Sequence, residues 1–301
     1  MKVIKRDGTV EPLDIQQILK QIRPAIKGLK NLKEETILKN IELYLRDNIH
    51  TEDIENFLIQ VLVNMVSLET PDATYAAGRV SLYDLYHKIK RKYKNKKISG
   101  NVYDIVHLQD YIDYGAKRDL FSEWYTKYSN EDIDTLNKSI VSDRDMLYNY
   151  QAVEVLFKRY LAKYENEIFE LPQHSEMAIA MFCASVEKED ERVKWSKEFY
   201  DITSKLEFIN ATPINAQGRL KDGNLISCLI CTTPDTSEGI LDTFKEVGLG
   251  SKSGSGWGWD WSSVRSKGSD IKHHKDAAGG KIPFLKLAND LTLAFDQNGK
   301  R

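Results

Sequence analysis

Two kinds of apolar spacing alternate along the first 90 residues. Residues 3–6 and 9–11 have the extended β-type pattern and flank an Asp-Gly turn, which predicts a hairpin. Apolar residues then recur at three- and four-residue intervals, which predicts helices around Ile18 and Ile41 and a third helix beginning at Thr51. The Thr51 side chain can cap the free N–H groups of that helix. With a fourth helix over about residues 74–92, residues 1–90 are predicted to form a small domain of a hairpin and four helices.

Helical spacing dominates from about residue 102 to residue 206. It includes a buried stripe around Met177 and Ile179, in which Cys183 is predicted to be a core residue. The basic run at residues 88–97 contains seven Lys or Arg and predicts a solvated helix end or linker before this region. We therefore predict a helical domain over residues 91–205.

Short strands and loops replace helices after residue 206. Apolar pairs at 208–209 and 225–226 and the segment 259–261 each precede hydroxyl or small residues, and residues 240–249 have helical spacing. Strand, helix and strand in this order are typical of an α/β barrel, whose sites form at strand ends. The sequence thus predicts an α+β protein in which residues 206–301 begin a barrel.

Composition is that of a globular protein and excludes several classes of function. Apolar residues make up 41% and charged residues 29% of the 301 residues, and no apolar run is long enough to cross a bilayer. The N-terminus lacks the apolar core of a signal peptide. A net charge of −2 argues against broad nucleic-acid binding, and only three cysteines favour a reducing cytoplasm over a disulfide framework.

The sequence predicts no metal site. Cys228 and Cys231 form a lone C-x-x-C motif without a second pair of ligands. The adjacent His273 and His274 also lack further ligands at a fixed spacing, although two neighbouring imidazoles could in principle bind a metal.

Candidate chemistry in the first domain lies beside the hairpin, where Lys5 and Arg6 can pair with phosphate oxygens. Taken alone, these two cations fit a solvated strand edge better. The N-terminal Val-Ile-Lys-Arg-Asp-Gly-x-x-Glu, Thr51, and Pro-Asp at 71–72 with Ala-Ala-Gly-Arg at 76–79 together resemble the ATP-cone domain. The resemblance implies an allosteric ATP/dATP site at these positions: Lys5, Arg6, Glu11, Thr51, Glu55 and Lys88. Gln17 departs from the usual Lys, which puts the strength of dATP binding in question.

The rest of the chain resembles the large subunit of class I ribonucleotide reductase, nearest to its eukaryotic-type branch. Asp-Arg-Asp-Met at 143–146 and Leu-Pro-Gln-His at 171–174 resemble its helical domain, where we interpret the charged cluster and His174 as structural. Ala-Thr-Pro at 211–213, Ser-Cys-Leu at 227–229 and Ser-x-x-Arg-x-x-Gly-Ser at 262–269 resemble the start of its catalytic barrel. The implied fold is an ATP cone, a helical domain and the first strands and helices of an incomplete ten-stranded α/β barrel.

The resemblance also implies roles for individual residues of the barrel region. Cys228 matches the thiol that reduces the substrate ribose together with a second cysteine. Four residues match the substrate site: Thr212 at the diphosphate, Ser227 beside the ribose, Gly256 and Arg301. Four more match an allosteric specificity site for a deoxynucleoside triphosphate: Asp235, Lys252, Arg265 and Asp296. Carboxylates can accept hydrogen bonds from the sugar or base, and the cations can neutralise phosphates.

Two stretches depart from the family, residues 251–261 and residues 272–278. The predicted loop at residues 251–258 has Ser255-Gly256 where the family has two glycines, and Trp257, Trp259 and Trp261 replace small or aliphatic residues. Three large aromatic rings would crowd a substrate loop or form a different interface.

The sequence stops after Asp-Gln-x-Gly-Lys-Arg, inside a loop that is followed in the family by most of the barrel. Three hypotheses remain open: the N-terminal half of a split large subunit, a truncated or degenerate product that retains only nucleotide binding, or a stand-alone ATP-cone regulator without an enzymatic role. We favour the split subunit because Thr212, Ser227, Cys228, Asp235 and Arg265 are all present.

The resemblance implies a set of ligands and partners. The effectors are ATP, dATP and other deoxynucleoside triphosphates, and the substrate is a ribonucleoside diphosphate. The expected protein partners are a second chain completing the barrel, a small subunit that supplies the radical cofactor, thioredoxin or glutaredoxin as reductant, and further copies of the chain. We expect neither nucleic acid nor a membrane as a partner.

Overall fold

The computed structural model describes residues 1–5, 8–93 and 105–295. The chain divides into two compact units, which are presented separately below. The first unit comprises Met1–Asn210 with Arg219–Lys221, and the second comprises Ala211–Gly218 with Asp222–Arg301.

The first unit begins with a three-stranded sheet. Strands β1 (Lys2–Ile4) and β2 (Val10–Pro12) form the predicted antiparallel hairpin. Strand β3 (Ile49–His50) pairs in parallel with β1, which gives the order β2-β1-β3. The sequence did not predict β3, because a two-residue strand is too short to carry a periodic signal.

Four helices pack against this sheet and confirm the prediction for residues 1–90. They are α1 (Ile15–Ile26), α2 (Glu34–Glu42), α3 (Thr51–Asn64) and α4 (Ala73–Lys92). Their apolar faces form one core with fully buried side chains from α1, α2 and α3: Ile22, Ile37, Ile41 and Leu58. Asp14 caps α1 by accepting a hydrogen bond from the Gln16 N–H at 2.9 Å.

The predicted capping role of Thr51 is wrong. Helix α3 begins at Thr51 itself, and the residue in the cap position is His50, whose side chain makes no capping hydrogen bond. The helix starts directly from β3, so Thr51 falls inside the first turn instead of in front of it. Its hydroxyl-bearing side chain lines a cavity that is described in the next section.

Helix α4 connects the sheet region to the helical remainder of the first unit. A Cβ at Gly78 would lie 2.9 Å from the Tyr148 carbonyl oxygen, so the glycine allows the helix to approach that backbone closely. The following helices are α5 (Leu108–Ala116), α6 (Asn130–Asn137), α7 (Tyr150–Val155), α8 (Pro172–Ala184) and α9 (Arg192–Ser204).

Shorter elements interrupt the helices of this region. Two 3-10 helices cover Glu123–Lys127 and Ser142–Leu147, and a π-helix covers Leu156–Tyr160. Strands β4 (Lys163–Tyr164) and β5 (Glu167–Ile168) form a small hairpin. The region is therefore helical in the main, as predicted, with a hairpin that the sequence pattern did not reveal.

The charged cluster at residues 143–145 is structural, as expected, but its contacts lie elsewhere in the chain. Arg144 pairs with Asp201 on α9, with 2.6 Å between Nη2 and Oδ1. Asp145 is fully buried and accepts hydrogen bonds from the Tyr86 hydroxyl at 2.6 Å and the Gln173 amide at 2.7 Å. Burial raises the pKa of Asp145 to about 7, against the lowering effect of those two hydrogen bonds.

His174 and Cys183 lie on α8 and are structural too. His174 is buried, its Nε2 lies 2.8 Å from the Val106 carbonyl oxygen, and burial lowers its pKa to about 4. Cys183 is half-buried, and its pKa is raised by desolvation. Burial keeps His174 away from a ligand in solution, whereas Cys183, which was predicted to be a core residue, is only partly buried.

The segment Arg219–Lys221 belongs to the first unit through a buried ion pair. Arg219 and Glu170 are both fully buried, with 3.0 Å between Arg219 Nε and Glu170 Oε2. The Tyr111 hydroxyl donates to Glu170 at 2.7 Å, and the Trp124 indole donates to the Arg219 carbonyl at 2.8 Å. The hydrogen-bonded surroundings compensate for the removal of these charges from water.

The second unit contains a β-α-β arrangement. Strand β6 (Cys228–Thr232), helix α11 (Ser237–Lys252) and strand β7 (Gly256–Asp260) follow one another, and the two strands pair in parallel. Helices α10 (Thr212–Gln217) and α12 (Ile282–Ala294) flank them. Among the described residues the two strands form an open sheet and not a closed barrel.

The predicted strand at residues 208–209 is wrong, and so is the strand start at residues 225–226. The chain after residue 210 forms α10, whose first turn contains Pro213, a residue that favours helix starts. The strand that was predicted to start at residues 225–226 is β6, which begins only at Cys228. The predicted loop at residues 251–258 is also mostly regular, because α11 ends at Lys252 and β7 begins at Gly256.

The three tryptophans pack inside the second unit instead of crowding a loop, which corrects the expectation from the sequence. Trp259 and Trp261 lie against Phe244 of α11, with ring centroids 5.1 and 5.8 Å apart. A Cβ at Gly250 would lie 2.4 Å from the Trp257 ring, so this glycine makes room for the indole. The rings therefore fill the space between the sheet and α11.

No helix in the ranges described is both long and apolar enough to span a bilayer. The same ranges contain no cluster of His, Cys, Asp or Glu that could hold a metal ion.

Candidate functional site

A cavity of about 600 Å³ opens beside the three-stranded sheet, and we call it the cone cavity. Its lining comes from β1, β2, α1, α3 and α4. Four of the predicted activity-site residues line it: Lys5, Glu11, Thr51 and Glu55. The hairpin and the start of α3 thus bring together residues that lie up to 50 positions apart in the sequence.

Charges of both signs meet in the cone cavity. Lys5 Nζ lies 2.6 Å from Glu11 Oε2, and Glu55 accepts a hydrogen bond from Gln21 Nε2 at 3.2 Å. The pKa of Tyr83 is raised by burial first and by the Glu55 carboxylate second. Such a lining can neutralise phosphates with its cations and accept hydrogen bonds from hydroxyl or amino groups with its carboxylates.

Helix α4 contributes residues to the cone cavity that the sequence analysis missed. Tyr83, His87 and Arg91 all line it and are spaced four residues apart, so they share one face of the helix. The Tyr83 and His87 rings are in contact, with centroids 4.5 Å apart. The regular spacing of two aromatic rings and a cation on one helix face is the signal that could have identified them. Gln17, the departure from the ATP-cone pattern, also lines the cavity.

One predicted activity-site residue of the described part of the chain, Lys88, is not among those that line the cone cavity. Lys88 forms an ion pair with Asp84 one turn earlier on α4, at 2.7 Å, and lines a second cavity. It lies one residue from His87, and neighbouring positions on a helix point in different directions. Arg6 lies outside the described residues.

The predicted redox residue and two of the predicted substrate residues, Ser227 and Gly256, meet at the start of the parallel sheet. Cys228 is the first residue of β6 and is paired with Gly256, the first residue of β7. The Gly256 N–H donates to the Ser227 carbonyl at 2.7 Å, and Ser227 Oγ lies 3.5 Å from Cys228 Sγ. The Cys228 thiol is exposed. Because side chains alternate along a strand, Cys231 lies on the other face, where desolvation raises its pKa.

Asn224 fixes the backbone in front of Cys228. Its Nδ2 lies 2.9 Å from the hydroxyl oxygens of Ser253 and Ser255, and its Oδ1 accepts from the Ile226 N–H at 3.0 Å. Its own N–H donates to Gln217 Oε1 at the end of α10, the helix that begins with Thr212. No sequence motif indicated this residue.

Asp235 and Arg265 form a preorganised pair beyond the other end of the two strands. Arg265 Nε lies 2.8 Å from Asp235 Oδ2, and the Arg265 N–H donates to Oδ1 at 3.2 Å. The pKa of Asp235 is lowered, first by that backbone hydrogen bond and then by the Arg265 side chain. The carboxyl ends of neighbouring parallel strands are common ligand positions in α/β proteins.

The thiol and this charged pair are separated by the length of the sheet. Each strand has five residues, which corresponds to about 13 Å between its ends. Lys252 ends the 16-residue helix α11, so it lies near the start of β7 and away from Asp235. Asp296 and Arg301 lie outside the described residues.

These features are those of a nucleotide-binding protein with a candidate redox thiol. A cavity of nucleotide size and mixed charge occurs in the same chain as a parallel β-α-β unit that carries an exposed thiol. Comparison with protein families gives three matches. The ATP cone domain matches residues 1–89, the ribonucleotide reductase all-alpha domain residues 146–223, and the ribonucleotide reductase barrel domain residues 226–301. The chain therefore carries the ATP cone, the all-alpha domain and the start of the barrel of the ribonucleotide reductase large-subunit family.

Similar proteins carry related names. The ribonucleoside-diphosphate reductase subunit alpha of Helicobacter pylori is 40% identical over 99% of this chain and 36% of its own length. The subunit alpha of Synechocystis sp. is 31% identical over all of this chain and 37% of its own length. The large chain 2 of Saccharomyces cerevisiae is 28% identical over all of this chain and 34% of its own length. The chain thus spans about 36% of the first relative, and these identities do not favour the eukaryotic-type branch.

Proposed function

We propose that the chain is the nucleotide-regulated N-terminal region of a ribonucleoside-diphosphate reductase large subunit. In this role it works with the remainder of the barrel to reduce ribonucleoside diphosphates to deoxyribonucleotides. One observation carries the proposal. The cone cavity gathers Lys5, Glu11, Thr51 and Glu55, which match the ATP-cone site by sequence, around a space of about 600 Å³.

The cone cavity would bind ATP or dATP as an allosteric effector. Lys5 and Arg91 would neutralise the triphosphate, together with Arg6, and Glu55 would accept hydrogen bonds from the sugar or base. The Tyr83 and His87 rings, which meet edge to face, supply aromatic surface for the adenine. Lys88 would act from outside the lining, by adding positive potential at the cavity's margin.

The second unit would contribute part of the substrate and specificity sites. Cys228 would supply one of two thiols that together give two electrons and two protons to the substrate and close a disulfide, which thioredoxin or glutaredoxin would reduce again. Thr212, Ser227, Gly256 and Arg301 would bind the substrate, and Asp235, Lys252, Arg265 and Asp296 the specificity effector. Because Asp235 and Arg265 lie a strand length from Cys228, effector binding would reach the thiol through β6, β7 and α11.

Several features of the assembly complete this proposal. The domains would be an ATP cone over residues 1–90, a helical domain over 91–205 and the barrel from 206. A separate chain or segment would complete the barrel, and a small subunit would supply the radical cofactor. A homo-oligomer in the cytoplasm is the expected setting, and the free thiols of Cys183, Cys228 and Cys231 fit a reducing compartment.

Calorimetric titration of dATP and ATP into the full chain tests the effector site. Lys5→Ala should weaken binding roughly tenfold, because it removes a charge-assisted phosphate contact. Lys39→Ala on the solvent side of α2 removes the same charge away from the cavity and should leave binding unchanged. Equal affinity of the Lys5→Ala variant and the unmodified chain, or no binding to either, would overturn this site.

A further inference from the structure

A second cavity, of about 700 Å³, lies between the last turns of α4, the π-helix and the β4–β5 hairpin. We call it the hairpin cavity. None of the predicted effector or substrate functions uses it, although Lys88 lines it. Of the residues that the structure describes, only Arg91 lines both the hairpin cavity and the cone cavity.

The lining of the hairpin cavity carries an excess of positive charge. Its four cations are Lys88, Arg91, Lys92 and Lys163, and its two carboxylates are Asp84 and Glu167. Lys88 pairs with Asp84 at 2.7 Å and Lys92 with Glu167 at 2.9 Å. Arg91 and Lys163 have no ion-pair partner in the described part of the chain, so two positive charges remain uncompensated.

The origin of Lys163 separates this cluster from an ordinary basic helix end. Cations in the last turn of a helix interact favourably with its dipole, which explains Lys88, Arg91 and Lys92 without a ligand. Lys163 comes instead from β4. A two-residue turn, in which Glu165 and Asn166 have positive φ of 50° and 65°, holds β4 against β5. Two independent elements thus contribute cations to the lining of one cavity, and like charges gathered in this way repel one another unless an anion compensates them.

The remaining lining indicates which kind of anion fits. Leu85, Phe157 and Ile168 form an apolar side, and Phe157 belongs to the π-helix, an element that recurs at functional sites. Glu167 is 76% exposed, and its one ion pair among the described residues is with Lys92. An anion of higher charge could therefore displace the Glu167 carboxylate from Lys92, and the displaced carboxylate would remain in solvent.

We propose that the hairpin cavity binds a polyphosphate group, either inorganic or carried by a nucleotide whose base lies against Phe157. Arg91 from α4 and Lys163 from β4 hold the phosphates, and Lys92 joins them once the Glu167 side chain moves into solvent. The site is distinct from the cone cavity and shares only Arg91 with it.

Calorimetric titration of sodium tripolyphosphate into the full chain tests the proposal, in a Lys5→Ala background that weakens the cone cavity. Lys163→Glu should weaken binding roughly tenfold or more, since it replaces a charged contact with repulsion. Glu167→Gln should strengthen binding, because it frees Lys92. Lys158→Glu is the matched control. Lys158 is an exposed lysine on the π-helix, and it pairs with Glu154 outside the cavity.

Arg91→Ala should weaken tripolyphosphate binding in the Lys5→Ala background and dATP binding in the otherwise unmodified chain. Equal effects of Lys163→Glu and Lys158→Glu would overturn the proposal, since they would reflect net charge alone, and so would the absence of tripolyphosphate binding. Far-ultraviolet circular dichroism would verify that each variant is folded.

A comparison of ATP with tripolyphosphate distinguishes the two sources of the phosphate group. Tighter binding of ATP that depends on Lys163 and loses its advantage in Phe157→Leu would identify a nucleotide. Equal binding of both ligands, unaffected by Phe157→Leu, would identify an inorganic polyphosphate. Both results support a polyphosphate site at the hairpin.

Discussion

At the residue scale, the environment of Cys228 is set by its backbone neighbours. The thiol is exposed at the first position of β6, and the hydrogen bond from the Gly256 N–H to the Ser227 carbonyl fixes the strand at that point. Asn224 then ties the preceding loop to Ser253 and Ser255. A side chain without chemistry of its own therefore positions the candidate redox residue.

Replacing Asn224 with Ala should loosen the start of β6. The variant loses the hydrogen bonds of the amide to two serine hydroxyls and to the Ile226 N–H, and we expect the second unit to be destabilised by about 1–2 kcal/mol. Hydrogen exchange of the Gly256 amide should accelerate, because this amide is bonded to the Ser227 carbonyl. Asn289→Ala, on α12, is the control and should leave that exchange unchanged. Unaltered protection of Gly256 in Asn224→Ala would contradict the positioning role.

At the element scale, α4, α8 and the 3-10 helix Ser142–Leu147 meet at a buried carboxyl group. Asp145 has a pKa of about 7, well above the 3.8 of an unperturbed Asp, because burial disfavours its charged form. Protonation of Asp145 therefore favours the folded state. Its stabilising contribution is complete below about pH 4 and is lost as the pH rises through about 7.

Asp145→Asn should remove this pH dependence. The amide mimics the protonated acid and can still bond with Tyr86 and Gln173, so the fold should tolerate it. In the unmodified chain the free energy of unfolding should fall between pH 4 and 7 with a slope of at most about 1.4 kcal/mol per pH unit from this group. Urea unfolding at several pH values measures the free energy of unfolding of both proteins. The contributions of Glu176 and His174 are common to the two and cancel in the difference. Parallel stability curves would show that Asp145 does not titrate in this range.

The sequence pattern predicts the longer helices well and the short strands poorly. The four cone helices and α11 were predictable because each buries a continuous apolar stripe, such as Ile18, Ile22 and Ala25 on α1. Strand β3 and the β4–β5 hairpin were not, since two-residue strands depend on pairing with distant residues. The strand predicted at residues 208–209 failed because an apolar pair is no evidence of pairing.

Only part of the candidate site was predictable, namely the residues that belong to local sequence motifs. Lys5, Glu11, Thr51 and Glu55 follow from motifs close to the hairpin and α3. The contribution of α4 depends on tertiary packing, so Tyr83, His87 and Arg91 were missed and Lys88 was expected in their place. The tryptophans of the second unit were misinterpreted, because a loop was expected where β7 alternates half-buried and exposed positions.

At the scale of the whole molecule, a buried ion pair holds the segment Arg219–Lys221 in the first unit. Arg219 reaches back to a fully buried carboxylate on Glu170, which also accepts hydrogen bonds from the Tyr111 hydroxyl and the Ala162 N–H. Both charges depend on each other, because neither can reach water. The pair therefore commits Arg219–Lys221 to the helical region.

Arg219→Met should destabilise the first unit by about 3–5 kcal/mol, because it leaves the Glu170 charge buried without its partner. Combining it with Glu170→Leu should restore part of the loss, since no unpaired charge then remains. Arg23→Met is the control, because its pair with Glu34 is exposed and should contribute less than about 1 kcal/mol. Thermal unfolding measures all four proteins, and a double variant less stable than Arg219→Met would contradict the argument.

The family relationship gives the whole chain its proposed role, and a chimera tests that role most directly. The region of the Helicobacter pylori subunit alpha that matches this chain would be replaced by the chain itself and combined with a radical-generating small subunit. We predict ATP-stimulated reduction of a ribonucleoside diphosphate, retained in Cys231→Ser and abolished in Cys228→Ser. A folded chimera that shows no reduction under conditions in which the parent enzyme is active, or one whose activity survives Cys228→Ser, would contradict the account.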